Sequence, residues 1–343
     1  MKSVAFVCHS SIVRNNGITR FMIEGATILR RHGVLVDLIT DNPTPEDVAS
    51  FFDAVIVPSD IAEYASQIDS AGLPLINHDP MITERLISSI GSVGNPYSLY
   101  ITNDLHSGLA CEHLGVPFIN YLHTAALIGD TNYTYLSDSY LDMERDLMSR
   151  STVGVPTRAI RKMFPVWNTV DLGLPISDTR YFSPQKGDQK TPSILFVGEG
   201  TRRKGADTWK SVVSRTPYTP HVVSSGEPEV QFDDLKKVDL RRFSSSETAE
   251  KANFIRQSRM MYFPSRCETV GYVILEALLS QPVLVDRQYP WAASALEVGA
   301  ELGDYAGVFQ DIERLMKSRY APDAVTQYLS QSRVQWENLL GHY

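Results

Sequence analysis

Short apolar runs recur along the chain, separated by stretches in which apolar and polar residues alternate at helical spacing. Val4-Ala-Phe-Val-Cys8 is continuous enough to be a buried strand. The polar turn Asn15-Asn16-Gly17 follows, and from Ile18 to His32 the residues Phe21, Ala26, Ile28 and Leu29 mark the apolar face of a helix. Gly33 is placed to end it, and Val34 to Ile39 is the next strand. Strand, helix and strand in so short a span form a βαβ unit, whose strands must be parallel. Apolar runs at 54–57, 100–102 and 118–122 continue the alternation, and Thr152 to Val155 is expected to be the last strand of this half.

A stretch rich in Pro, Ser, Asp and Gly from Leu174 to Pro192 then breaks the pattern, as a linker does. Beyond it the alternation restarts, with strands at Ile194–Val197, His221–Ser224 and Met260–Phe263 and a helix expected from Lys204 to Ser214. The fold class predicted is α/β, as two doubly wound domains facing one another across a cleft. The boundaries fall at 1–172 and 173–325. A final helix over 326–343, carrying Trp336 and Leu339-Leu340, is expected to pack back across the domains.

At 343 residues the chain exceeds one ordinary hydrophobic core, in keeping with two domains. A hydrophobic content of 43% and a charged content of 21% are those of a globular protein rather than a disordered one. No apolar run is long enough to span a bilayer and no signal-peptide pattern opens the chain, so a cytoplasmic protein with no membrane partner is expected. Cys8, Cys111 and Cys267 lack Cys-x-x-Cys spacing, which indicates neither a disulfide framework nor a zinc site. Charge is unevenly placed. Residues 1–150 hold 8 Lys+Arg and 18 Asp+Glu, a net of −10 against −8 for the whole chain, which leaves +2 for residues 151–343. A phosphate-rich ligand is therefore expected to favour the second half.

The segment after Phe263 carries the strongest chemical pattern: Pro264-Ser-Arg-Cys-Glu268-Thr-Val270-Gly271, then an apolar helix bearing Glu276, then Pro282. Backbone N–H groups at such a helix start can hold a phosphate, and each Glu can accept hydrogen bonds from sugar hydroxyls. The plainer alternative is a strand–turn–helix with one capping and one solvated Glu. A second constellation is Gly198-Glu-Gly200-Thr-Arg202-Arg203-Lys204-Gly205, where glycines after a strand allow close backbone approach and three cations can offset a diphosphate. It is neither a Walker loop nor a dinucleotide fingerprint, and by itself it equally fits a solvated cationic helix start. Asn16-Gly17, with Arg20 one turn on, sits where open α/β sheets bind ligands but is also an ordinary helix cap. His123 stands at a strand end, as does His9. His106 and His113 are expected to be structural or exposed, and Asp142-Met-Glu144 to be a solvated face.

Together these segments resemble the retaining GT-B glycosyltransferases, the large family typified by sucrose synthase and bacterial glycogen synthase relatives. Gly17 to Thr40, through Arg30-Arg31-His32-Gly33, is similar to the family's opening glycine loop, helix and strand. Leu174-Pro-Ile-Ser-Asp178-Thr-Arg-Tyr-Phe182-Ser-Pro184 resembles its interdomain signature, Gly198 to Gly205 its Gly-Arg…Lys-Gly element, and Pro264 to Val283 its double-glutamate motif. Three features depart from the pattern. Glu199 stands where Arg is usual, so the phosphate-binding role passes to Arg202 or Arg203. The opening glycine pair is reduced to Asn16-Gly17, and the chain is short for the family. Gly17-Ile-Thr-Arg20-Phe21 is also similar to the opening of the T-even bacteriophage DNA α-glucosyltransferases, which act on 5-hydroxymethylcytosine in DNA.

The resemblance implies a metal-independent transferase that needs no cofactor and uses a nucleotide-diphosphate sugar, UDP-linked, as donor substrate. Lys204 and an adjacent Arg would offset the diphosphate charge, and backbone N–H groups at Val270 and Gly271 would hold a phosphate. Glu276 would bind the ribose, Glu268 the sugar hydroxyls, and Asn16, Gly17 and His123 would approach from the first domain. Retention is expected through a front-face displacement in which the leaving phosphate helps to remove the acceptor proton. The phage-like opening points to hydroxymethylcytosine in DNA as acceptor, which would place the protein in a host cytoplasm, with Arg150, Arg158, Arg161 and Lys162 as a basic strip. The acidic first half argues against a duplex partner, and a saccharide, lipid-linked sugar or small metabolite is the alternative. A sugar-nucleotide epimerase or a non-catalytic nucleotide-sugar binder is the rival from another class.

Overall fold

The computed structural model describes residues 2–9, 12, 17–58, 78–94, 96–128, 136–224, 229–243 and 248–341. The chain forms two compact units. Met1–Leu127, Tyr135–Ser177 and Leu329–Tyr343 make the first, and Ile128–Thr134 with Asp178–Tyr328 the second.

The first unit is built on strands β1 (Ser3–Cys8), β2 (Leu35–Thr40), β3 (Val55–Ile56), β4 (Leu99–Thr102), β5 (Phe118–Tyr121), β6 (Thr152–Val155) and β7 (Asn168–Asp171). They lie in the order β3-β2-β1-β4-β5-β6-β7, with parallel pairing throughout. Val4 to Cys8 are wholly buried, which is why that strand is a continuous apolar run rather than an alternating one. The helix Gly17–Arg31 turns Phe21, Met22, Ala26 and Leu29 inward, and Gly33, at φ +74°, carries the chain out of it. Contrary to the sequence-based expectation, Thr152–Val155 is not the last strand. Asn168-Thr-Val-Asp171 pairs beyond it as a half-exposed edge, and an edge strand needs no apolar run to announce it.

In the second unit, strands β8 (Thr191–Gly198), β9 (Thr219–Ser224), β10 (Asp239–Arg241), β11 (Ser258–Phe263), β12 (Val283–Asp286) and β13 (Glu301–Gly303) form a parallel sheet in the order β10-β9-β8-β11-β12-β13. Ile194, Phe196, Trp209, Phe232, Tyr262 and Leu284 share one core. The helix expected from Lys204 starts at Ala206 instead, because Arg202 to Gly205 form a turn. The Pro-rich connection is tied down by Arg256, which bonds Asp188 at 3.0 Å and the Tyr181 carbonyl.

Each sheet reverses its strand order once. The first does so between β1 and β4, the second between β8 and β11. Connections leaving these neighbours run in opposite directions and open a crevice at the carboxyl ends of the strands, where ligands of open α/β sheets bind.

Candidate functional site

At the reversal in the second sheet, the two segments singled out in the sequence meet. The turn after β8 and the loop after β11 are laced by backbone contacts: Arg266 N–H donates to the Arg203 carbonyl at 3.0 Å, and the Arg266 guanidinium to the Arg202 carbonyl. Gly205 makes this approach possible. Its φ is +71°, and a Cβ there would lie 2.1 Å from the Pro264 carbonyl oxygen. Trp291, wholly buried, braces the loop by donating its indole N–H to the Ser265 carbonyl at 3.1 Å.

This lacing places Lys204 Nζ on Glu268 Oε1 as a direct ion pair, with Ser265 Oγ 3.4 Å from the same oxygen. The ammonium and carboxylate are 19% and 11% exposed, so both remain open to a ligand while partly shielded from water. Gly271, at φ +81°, lies against Glu268: a Cβ added there would sit 3.4 Å from Oε2. It caps the helix Tyr272–Leu278. Val270, just before it, is wholly buried. Glu276, on that helix, is 1% exposed and lies 3.4 Å from Lys251 Nζ. A cation beside it offsets part of the cost of burying a carboxylate.

Arg203 and Arg202 part company. Arg203 is 25% exposed and bonds Glu199 at 3.0 Å. Arg202 is 68% exposed, its guanidinium 3.3 Å from Glu229. Arg203 is thus the more inward of the two, and Glu199 is an ion-pair partner that holds it. Arg266, Lys251 and Trp291 were missed in the sequence. Arg266 lay inside the quoted motif, but residue spacing carries no sign of which way a loop side chain turns.

In the first unit, Gly17 opens its helix exposed, and a Cβ there would meet nothing within 4 Å. Asn16 lies outside the described residues. His123, just past β5, packs its ring on Phe21 and Tyr121 and bonds Asn103 Oδ1 through Nε2 at 3.0 Å. Because Asn103 Nδ2 donates to the Val7 and Ile101 carbonyls, its Oδ1 is the acceptor, and His123 carries its proton on Nε2. Burial, opposed by the Asp104 charge, pulls its pKa down to about 3 and keeps it neutral. Nδ1 is then a lone pair able to accept from a hydroxyl.

Two smaller expectations are corrected. Glu144 is not on a solvated face; it is 1% exposed and accepts from Thr124 Oγ1 at 2.6 Å. Its helix, Asp138–Arg150, turns Leu141, Glu144, Leu147 and Met148 inward, so Glu144 shares the apolar stripe. Burial pushes its pKa up to about 7, against the Thr124 bond, with Asp104 adding to the rise. Of the proposed basic strip, Arg150 pairs with Glu112 and Asp146, and Arg161 with Asp171 at 3.0 Å, where Arg158 also approaches at 4.0 Å. Among the described residues no cluster of three metal-ligating side chains occurs, and no helix is long and apolar enough to cross a membrane.

No family model matches the sequence, and no curated protein matches it. Solved structures do match its fold. Sucrose-phosphate synthase from Thermosynechococcus elongatus superposes with a TM-score of 0.68 at 15% identity, over 99% of this chain and 95% of that one. The UDP-forming α,α-trehalose-phosphate synthase of Burkholderia vietnamiensis matches at 0.63 and 13%, over 100% and 99%. A TarM variant from S. aureus, solved with fondaparinux, α-GlcNAc-glycerol and UDP, matches at 0.61 and 12%, over 100% and 97%. The chain therefore has the GT-B fold expected from its sequence. These matches do not show the likeness to the phage enzymes.

Proposed function

We propose that this protein is a glycosyltransferase that moves a sugar from a UDP-linked donor to a hydroxyl acceptor. The observation that carries the reading is the Lys204–Glu268 pair at the strand-order reversal of the second sheet, where two separate sequence motifs converge on one point. Two of the matching structures bear names that include UDP, as a product or a bound ligand, and their fold covers this whole chain.

On this reading Lys204 and Arg203 neutralise the diphosphate as it leaves, the part a divalent ion plays in metal-dependent transferases. The backbone of Val270 and Gly271 receives a phosphate oxygen. Glu276, beside Lys251, accepts from the ribose hydroxyls, and Glu268 from the sugar. Binding of sugar hydroxyls exchanges part of the Lys204–Glu268 contact for contacts to the donor, so both charges stay paired throughout. For Gly17 and His123, in the first unit, the resemblance implies a part in the same reaction, and neutral His123 can accept from a hydroxyl through Nδ1. Transfer proceeds with retention of anomeric configuration and without a metal.

The phage-like opening at Gly17–Phe21 keeps hydroxymethylcytosine in DNA as one acceptor, and a saccharide or small metabolite as the other. The ion pairing of Arg150, Arg158 and Arg161 and the acidic first half favour the second. The test is a UDP-release screen of UDP-glucose, UDP-galactose and UDP-N-acetylglucosamine against water, glucose, glycerol, and unmodified and hydroxymethylated DNA. UDP release with transfer of the sugar supports the reading. Conversion of the sugar while it remains on UDP would make the protein an epimerase, and binding without turnover a carrier.

A further inference from the structure

Beside the donor loops, and wholly within the second unit, lies a cavity of about 430 Å³ that the donor chemistry does not use. Neither Lys204 nor Glu268 nor Glu276 lines it. The helix Ala206–Val213 contributes Asp207 and Thr208, the loop after β11 Arg266, and the end of β12 Asp286 and Gln288. The volume falls within the range of small-molecule pockets, about 300–1,000 Å³.

The polar groups are held in place by one another. Arg266 Nη2 donates to Asp207 Oδ2 at 2.8 Å and lies 3.3 Å from Thr208 Oγ1, while Nη1 of the same guanidinium bonds the Arg202 carbonyl. Asp286, only 4% exposed, accepts from Gln288 N–H at 3.2 Å and from Gln288 Nε2 at 2.8 Å. With its amide nitrogen engaged there, Gln288 offers its oxygen as an acceptor. Two tyrosines, Tyr289 and Tyr305, complete the lining. Tyr305 is 49% exposed, and its hydroxyl is fixed by Arg215 Nη2 at 3.0 Å. Tyrosine joins an apolar ring to a polar tip and loses little conformational freedom when it binds.

This chemistry selects among ligand classes. Arg266 balances Asp207, and Asp286 is left over, so a phosphate or carboxylate ligand would meet net negative charge. A divalent cation would need several oxygen ligands converging on it. Asp207 is taken up by Arg266, and no cluster of three metal-ligating side chains occurs among the described residues. Burial, with the charge of Asp304 adding to it, raises the Asp286 pKa against its two bonds from Gln288, which further suits this carboxyl to a neutral ligand. An apolar ligand would strand the carboxylates, guanidinium and amide without partners. A ligand rich in hydroxyls satisfies them all, because each hydroxyl both donates and accepts, and the C–H faces of a pyranose ring can pack on tyrosine.

We propose that this cavity is a saccharide-binding site, separate from the donor contacts, that takes a neutral mono- or disaccharide. Asp207, Asp286 and Gln288 accept from its hydroxyls, Arg266 and Thr208 donate to them, and Tyr305 lies along its apolar face. Such a site holds carbohydrate on the second unit without handling a phosphate, and it does not depend on the transferase reading.

The test is titration of the full chain with glucose, maltose, cellobiose and N,N′-diacetylchitobiose, followed by saturation-transfer NMR, for wild type, Tyr305→Ala and Gln288→Ala. Both positions are exposed, so both variants should keep the wild-type unfolding temperature. At least one of the sugars should bind with a Kd on the order of 1 mM. Each variant should weaken that sugar about tenfold or more, and saturating UDP should leave its binding to wild type unchanged. Inorganic phosphate and Mg²⁺ serve as the contrasting probes. Binding of none of the sugars overturns the proposal, as does sugar binding that both folded variants retain at wild-type strength. Displacement of the sugar by UDP also overturns it, because the sugar then sits among the donor contacts. Phosphate or Mg²⁺ that binds in place of the sugar, and is lost in the two variants, assigns the cavity to an ion instead. UDP that fails to bind sinks the transferase reading alone, and the two variants then decide the saccharide site.

Discussion

At Gly205 the φ of +71°, together with a Pro264 carbonyl oxygen only 2.1 Å from where a Cβ would stand, sets the spacing between the two donor loops. Gly205→Ala should cost about 1–3 kcal/mol in backbone strain, and more if the loops are pushed apart. The checks are the urea midpoint and UDP affinity; an unchanged midpoint with unchanged affinity would mean that the loops do not depend on this contact. One residue earlier, Lys204→Ala removes a charge-assisted contact to the departing diphosphate and leaves Glu268 without its cation. Turnover should fall about 10²- to 10³-fold, with the fold retained by circular dichroism. Wild-type turnover in this variant would remove Lys204 from the mechanism. Glu144 gives a stability prediction whose sign follows from its raised pKa of about 7. The folded state binds its proton between pH 4.5, the ordinary glutamate value, and about 7, where the unfolded chain has lost it. The wild type therefore loses stability as pH rises through that window. Glu144→Gln carries no such proton, so its advantage over wild type should grow from pH 5 to pH 8 by about 2–3 kcal/mol, measured by denaturant unfolding. A constant difference across that range would mean that Glu144 is already ionised in the fold.

Among the elements, the last helix, Asp323–Asn338, gives the first unit its residues from Leu329 onward. It lays Trp336 against Phe6 and Phe21, with ring centroids 6.2 and 5.3 Å apart. Gly25 makes room, since a Cβ there would come within 2.9 Å of both Phe6 and Trp336. Trp336→Ala should destabilise by about 3–5 kcal/mol, read by thermal or urea unfolding; a loss under about 1 kcal/mol would mean that the ring is not core. The sequence announced such elements unevenly. The central strands of both sheets were legible because strands buried on both faces must be apolar throughout. The edge strand Asn168–Asp171 was not, since one side of it faces no partner strand. The meeting of Lys204 and Glu268 was inferred only through the family pattern. Nothing local links residues sixty-four positions apart, and the contact exists because β8 and β11 are neighbours in the sheet. His9 and Asp41, with Nδ1 2.9 Å from a carboxylate oxygen, were invisible as a pair for the same reason: the register of β1 against β2 brings them together, and that register is set by the buried faces of the strands.

For the whole molecule, the proposed donor site lies within one of the two units, so ligand binding there is a local event. Each unit has its own parallel sheet and core, and the residues proposed to hold the donor, Arg203, Lys204, Glu268, Gly271 and Glu276, all belong to the second. A ligand that binds only the folded form stabilises it by mass action, by about 2.7 kcal/mol at roughly a hundredfold excess over its Kd. UDP should therefore raise the unfolding temperature of the wild type, and hydrogen exchange should slow in the segments Gly198–Gly205 and Pro264–Leu278. Glu276→Ala, which takes away the proposed ribose acceptor, should shrink both effects while the fold persists. Because exchange is read segment by segment, it separates a donor site in the second unit from a nucleotide bound elsewhere. Protection confined to the first unit, or UDP stabilisation untouched by Glu276→Ala, would place the donor away from the Lys204–Glu268 pair.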